Sequence, residues 1–205
     1  NREPNRTDFE SNSEIKPERL NDIEIGWLFR NENILLNLNS YFMLYDEQLV
    51  LTGEIDDVGN PKRTNSGSSS RIGLEIENSI KLSELFSVQT NITLSSNKNK
   101  NIFSMVDGAL YNYGKTNISF SPSFIGSNSI NYKYSENLNF TFLSKYVGKQ
   151  YMSNTDQPNS ILDSYFVNDL SISYLLQPNK ILESISINLL INNLINKEYI
   201  SNGYY

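Results

Sequence analysis

From Pro17 to the end of the chain, apolar and hydrogen-bonding side chains alternate with a period of two, and helical periodicity is almost absent. Such a pattern dictates strands with one apolar and one polar face, because successive Cβ atoms leave a pleated backbone on opposite sides. Eight segments follow it. The first, about 20–30, sets Ile23, Ile25 and Trp27 against Glu24, Gly26 and Leu28. In the second, about 34–48, Leu36, Leu38, Phe42 and Leu44 oppose Asn37, Asn39, Tyr41 and Tyr45; in the third, about 69–82, Ile72, Leu74 and Ile76 oppose Arg71, Gly73, Glu75 and Glu77. The remaining five fall at about 85–97, 118–134, 138–150, 165–176 and 184–194.

The connections choose the architecture. Four are short: Asn31-Glu32-Asn33, Ser83-Glu84, Ser135-Glu136-Asn137 and Gln177-Pro178-Asn179-Lys180. Three are long, at about 52–68, 98–116 and 152–164. Short turns alternating with long loops, between strands of about ten residues or more, predict an all-β, antiparallel transmembrane β-barrel. The polar face is mostly Asn, Ser, Thr and Gln, which a water-filled lumen hydrates while lipid covers the Ile, Leu, Phe and Tyr face. A soluble antiparallel sheet shares the same period and stays open on that ground alone.

Composition narrows the chemistry. With no His and no Cys, the chain has no Ser-His-Asp or Cys-His system, no imidazole or thiolate metal site and no disulfide. No catalytic centre, metal or cofactor is expected, and no strand-end carboxylate pair stands out for glycoside hydrolysis. The 17 Lys+Arg against 23 Asp+Glu leave a net charge of −6, which disfavours nucleic acid as a partner. The 30 Asn and 28 Ser among 205 residues make a conventional core thin, whereas 12% aromatic residues argue for order. No run approaches the roughly 18 apolar residues of a membrane helix, and the first thirty residues lack an apolar signal core.

Seven segments carry a specific resemblance: REPNRTDF from Arg2, PERLNDIEIGW from Pro17, LVLTGEIDDVGNP from Leu49, ISFSP from Ile118, KYVGKQY from Lys145, YFVNDLSISY from Tyr165 and NNLINKEYISNGY from Asn192. In this order they resemble a TonB-dependent outer-membrane receptor, most closely of the Bacteroidota type. The resemblance implies a 22-stranded barrel filled by an N-terminal plug and placed in the Gram-negative outer membrane. Residues 1–205 would be about eight of those strands, with plug, TonB-contacting box, signal peptide and last strand lying elsewhere. Short turns would face the periplasm, and the long loops and the segment up to Glu18 would face outside.

Further implications are uptake of a large, scarce solute such as a siderophore-iron complex, haem, cobalamin or an oligosaccharide, energised by the TonB complex through the plug. Outer-membrane lipid would surround the wall. Candidate residues for the substrate path or plug contact are the inward charges Glu24, Arg71, Glu75, Glu77, Lys145 and Asp169, joined by Arg2, Arg6 and Asp8 at the mouth. The opening cluster has a plainer alternative, in which its Arg and Asp pair with each other and brace the rim. For the whole chain the alternative is a small eight-stranded outer-membrane barrel serving as a structural anchor or adhesin.

Overall fold

The computed structural model describes residues 2–55, 57–59, 61–65, 67–106, 109–176 and 184–203. A short helix α1 (Arg6–Ser11) precedes thirteen strands: β1 (Arg19–Arg30), β2 (Ile34–Asp46), β3 (Leu49–Ile55), β4 (Pro61–Asn65), β5 (Ser68–Lys81), β6 (Phe86–Val106), β7 (Ala109–Asn117), β8 (Phe124–Lys133), β9 (Leu138–Val147), β10 (Gln150–Tyr151), β11 (Ile161–Leu162), β12 (Tyr165–Leu176) and β13 (Ile185–Ile191). Eight of them form one antiparallel wall in the order β1-β2-β5-β6-β8-β9-β12-β13. The wall is an open arc, since β1 and β13 each have a neighbour on one side only. Each wall strand coincides with one of the eight predicted segments.

The differences lie at one end. The fifth wall strand begins at Phe124 rather than near 118, because the intervening residues turn at Phe120 (φ 51°) and at Pro122, which has no amide to donate to a ladder. All three long connections also carry strands of their own. The first contains the β3–β4 hairpin, and the second is the continuation of β6 paired with β7 beyond the edge of the wall. In the third, β10 and β11 make a two-residue ladder.

Register follows the alternation. Directly paired residues share a face, so Ile25, Ser40, Leu74, Leu94 and Phe124 form one row on the apolar side, and Gly26, Asn39, Glu75 and Thr93 form one on the polar side. No second layer covers the apolar face among the described residues: Ile25 is 72% exposed and Ile72 53%. A soluble fold would bury these side chains, whereas a transmembrane barrel turns such a face outward. One row breaks the pattern. Asn78, Thr90, Asn128, Ser144 and Asn168 are ladder partners across five strands on the same side as Ile76 and Leu94. The Oδ1 atoms of Asn78 and Asn128 are buried without a hydrogen-bond partner.

Buried apolar residues gather at the long-loop end. They are Ile15, Leu49, Ile102, Ile118, Val147, Leu162 and Val167. The opposite end is held by three turns of one design. Asn31 Oδ1 accepts from Asn33 N (2.9 Å) and Ile34 N (2.7 Å), Ser83 Oγ from Leu85 N and Phe86 N, and Ser135 Oγ from Asn137 N and Leu138 N. Such side chains replace the backbone partners that a tight turn leaves wanting. Ion pairs Lys81–Glu84 (2.6 Å) and Lys133–Glu136 (3.1 Å) clasp two of the turns. The fourth predicted turn, Gln177-Pro178-Asn179-Lys180, lies outside the described residues.

Candidate functional site: the polar face and the long-loop end

The polar face is built from alternate residues of the wall strands. Glu75 and Glu77 stand two apart on β5, flanked by Asn37 and Asn39 of β2 and by Asn91 and Thr93 of β6, around a shallow recess of about 260 Å³. Asn39 Nδ2 lies 3.4 Å from Glu24 Oε2 and 3.5 Å from Glu75 Oε2, so one amide bridges two carboxylates across three strands. Two carboxylates that share a single neutral donor keep the charge to attract a cationic or strongly donating group. Above them Gly73 leaves room for the Tyr41 ring, which occupies the space that a Cβ would need.

The other candidates are dispersed. Arg71 faces Met43 and Asn97 across the ladders, its guanidinium is 4.8 Å from the centre of the Tyr45 ring, and its Nε is buried without a partner. Lys145 lies in the same row as Glu77 but three strands away, paired with Ser127 and Val167. Asp169 accepts a hydrogen bond from Asn193 N (2.7 Å), and Asn193 in turn closes its own loop through Lys197 N (2.8 Å). The structure therefore brings Glu24, Glu75 and Glu77 together, and leaves Arg71, Lys145 and Asp169 apart from them.

At the long-loop end the opening segment is tied down. Arg2 pairs with Glu18 through a backbone bridge. Arg6 is exposed and bonds Glu10 at 2.6 Å. Asp8 is 3% exposed; it closes a capping box with Asn5 and accepts from Arg63 at 3.2 Å. Glu18 accepts from Leu49 N, and Asn65 donates to the carbonyls of Lys16 and Glu47, so α1 is bound to the base of the β3–β4 hairpin. A second brace joins β6 and β7 to the loop before β11. Asn99, 1% exposed, donates to Thr116 Oγ1, Asn117 O and Asn154 Oδ1, while the Asp156 carboxylate takes both the backbone and the side-chain N–H of Asn117. Sequence reasoning singled out neither Arg63 nor Asn99 nor Asp156, because their partners lie 17 to 55 residues away.

A one-layer antiparallel wall with an apolar outer face, a polar inner face, tight turns at one end and braced loops at the other is a stretch of a transmembrane β-barrel. The model of the TonB dependent receptor-like β-barrel family matches residues 3–194, and the chain belongs to that family. Its members are receptors and transporters rather than enzymes, and its barrels are outer-membrane proteins. Among solved structures the chain is similar to the siderophore receptor PiuA from Acinetobacter baumannii (21% identity, TM-score 0.72, 93% of this chain and 26% of that one). It is similar also to the ferric yersiniabactin uptake receptor FyuA from Yersinia pestis (16%, 0.68, 92% and 26%) and to the copper transporter OprC (14%, 0.71, 97% and 30%). The chain thus spans between a quarter and a third of their lengths. No curated protein matches it by sequence.

Proposed function

We propose that the chain is part of the barrel wall of a receptor that captures a large, scarce solute at the cell surface and admits it when TonB pulls on a plug domain. A family match running through residues 3–194 carries this reading, and the similarity to siderophore and iron receptors makes a ferric siderophore the first solute to test. The motifs quoted above favour a receptor of the Bacteroidota type in a Gram-negative outer membrane. The short turns then face the periplasm and the braced loops face outside. Glu24, Glu75, Glu77, Arg71, Lys145 and Asp169 line the lumen as plug contacts or path residues, and Arg2, Arg6 and Asp8 stand at the mouth. Asp8 is committed to Arg63, so its part there is to brace.

Because β1 and β13 do not pair, a closed eight-stranded anchor or adhesin is the weaker alternative. The test is uptake of radioactive iron from ferric siderophores by cells that carry or lack the full-length gene, with and without TonB. Uptake that needs both gene and TonB is the expected result. Uptake independent of either overturns the reading.

A further inference from the structure

A second recess lies at the long-loop end of the wall. After Asn117 the chain leaves the edge of β6 and rejoins it at Ser123, whose carbonyl accepts from Ser95 N (2.9 Å). The detour through Phe120 and Pro122 opens a cavity of about 230 Å³ lined by Ser95, Asn97, Lys98, Ser123, Lys149 and Tyr151 among others. The lining contains two lysines and no carboxylate, in a chain of net charge −6. Its lining comes from both faces: Ser95 shares a polar-side row with Gly73 and Lys149 follows Val147 by two residues, whereas Lys98, paired with Ser70 and Asn117, stands on the apolar side.

The hydrogen bonds separate walls from working groups. Ser95 Oγ donates to Pro122 O (3.1 Å) and Asn97 Nδ2 donates to Ser95 Oγ (2.8 Å), so both are spent in holding the cavity open. Lys98 Nζ is anchored on Asn117 Oδ1, and the amide of Asn117 is held from the other side by Asp156. That carboxylate partly offsets Lys98. Lys149 has no ion-pair partner among the described residues; its Nζ stands 5.6 Å from the centre of the Tyr151 ring. The Ser123 hydroxyl is likewise free to donate.

We propose that this recess is an oxyanion subsite, which takes a carboxylate or phosphate group of the solute. Lys149 and Ser123 donate to it, and the Tyr151 ring packs against the solute's apolar part. The proposal rests on the receptor reading and narrows it to solutes that bear anionic oxygens, against neutral oligosaccharides.

The test uses the full-length receptor in detergent, with citrate as the probe in titration calorimetry and heat-dependent gel mobility to verify folding of each variant. Citrate binding that weakens with salt is expected, with Lys149→Gln about tenfold weaker or more, Lys149→Arg close to the parent and Lys133→Gln unchanged. Absence of citrate binding, or equal affinity in Lys149→Gln, overturns the subsite. A phosphorus-bearing lipid that co-purifies in a Lys149-dependent amount, without citrate binding, assigns the recess to a headgroup and also overturns the solute assignment. TonB-dependent uptake measured in parallel separates the two claims: if it persists while the subsite fails, the receptor reading stands.

Discussion

The two ends of this wall are stabilised by opposite means. At the short-turn end the side-chain contacts that shape the turns are local: Asn31, Ser83 and Ser135 each bond an amide two or three residues on, and the ion pairs span three residues. At the long-loop end the contacts that matter join residues 17 to 55 apart, and they are buried or partly buried. The difference teaches that one end forms with its own hairpins, whereas the other forms only after distant segments have met, since loop closure must precede contacts of that kind.

The largest break in this comparison is expected at Asp8. Asp8→Ala removes a capping box and strands Arg63 beside a buried site, which should cost the opening segment about 2–4 kcal/mol. Hydrogen exchange should rise over residues 5–12 and 61–65 and stay unchanged at the short turns; equal protection in parent and variant would mean that the pair contributes nothing. Next in size is Asn99→Ala, which deprives three acceptors of one donor and should cost about 1–3 kcal/mol. Limited proteolysis should then nick the chain within 152–160, whereas Ser96→Ala should leave that stretch resistant. Smaller still, Ser83→Ala and Ser135→Ala should each lower the thermal midpoint of the folded barrel by an amount equivalent to about 0.5–1 kcal/mol, without exposing the long loops to protease.

The smallest effect concerns Glu84. A hydrogen bond from the Lys81 ammonium, with the charge of that group, holds the Glu84 carboxyl below its ordinary value. A carboxyl depressed on folding stabilises above its unfolded value, and that contribution fades as pH falls through the folded one. Lys81→Gln should therefore raise the Glu84 titration midpoint toward the ordinary range in an NMR titration. A midpoint that did not move would show that the pair is not formed in solution.

The same division decides how much was legible in the sequence. All eight wall strands could be read, because alternation such as Ile72, Leu74 and Ile76 against Arg71, Gly73, Glu75 and Glu77 is written within each strand. Three tight turns could be read from Asn31, Ser83 and Ser135. The β3–β4 hairpin could not, since Lys62, Arg63 and Thr64 carry no apolar period and the register of the pair shifts between Leu51 and Ile55. Nor could α1, whose Asp8 depends on an arginine 55 residues away. At the candidate site, parity placed Glu24, Glu75 and Glu77 on one face, and the structure joins the first two through Asn39. Lys149 and Ser123 escaped notice because only the detour through Phe120 and Pro122 sets them beside one recess.

The row of Asn78, Thr90, Asn128, Ser144 and Asn168 on the outer face has its own consequence for the surrounding bilayer. Hydrocarbon tails cannot donate to the two stranded amide oxygens, and an unmet polar group in such surroundings costs on the order of a few kcal/mol. Since both oxygens lie beneath neighbouring atoms of the wall, nothing in the surroundings reaches them until the wall itself shifts.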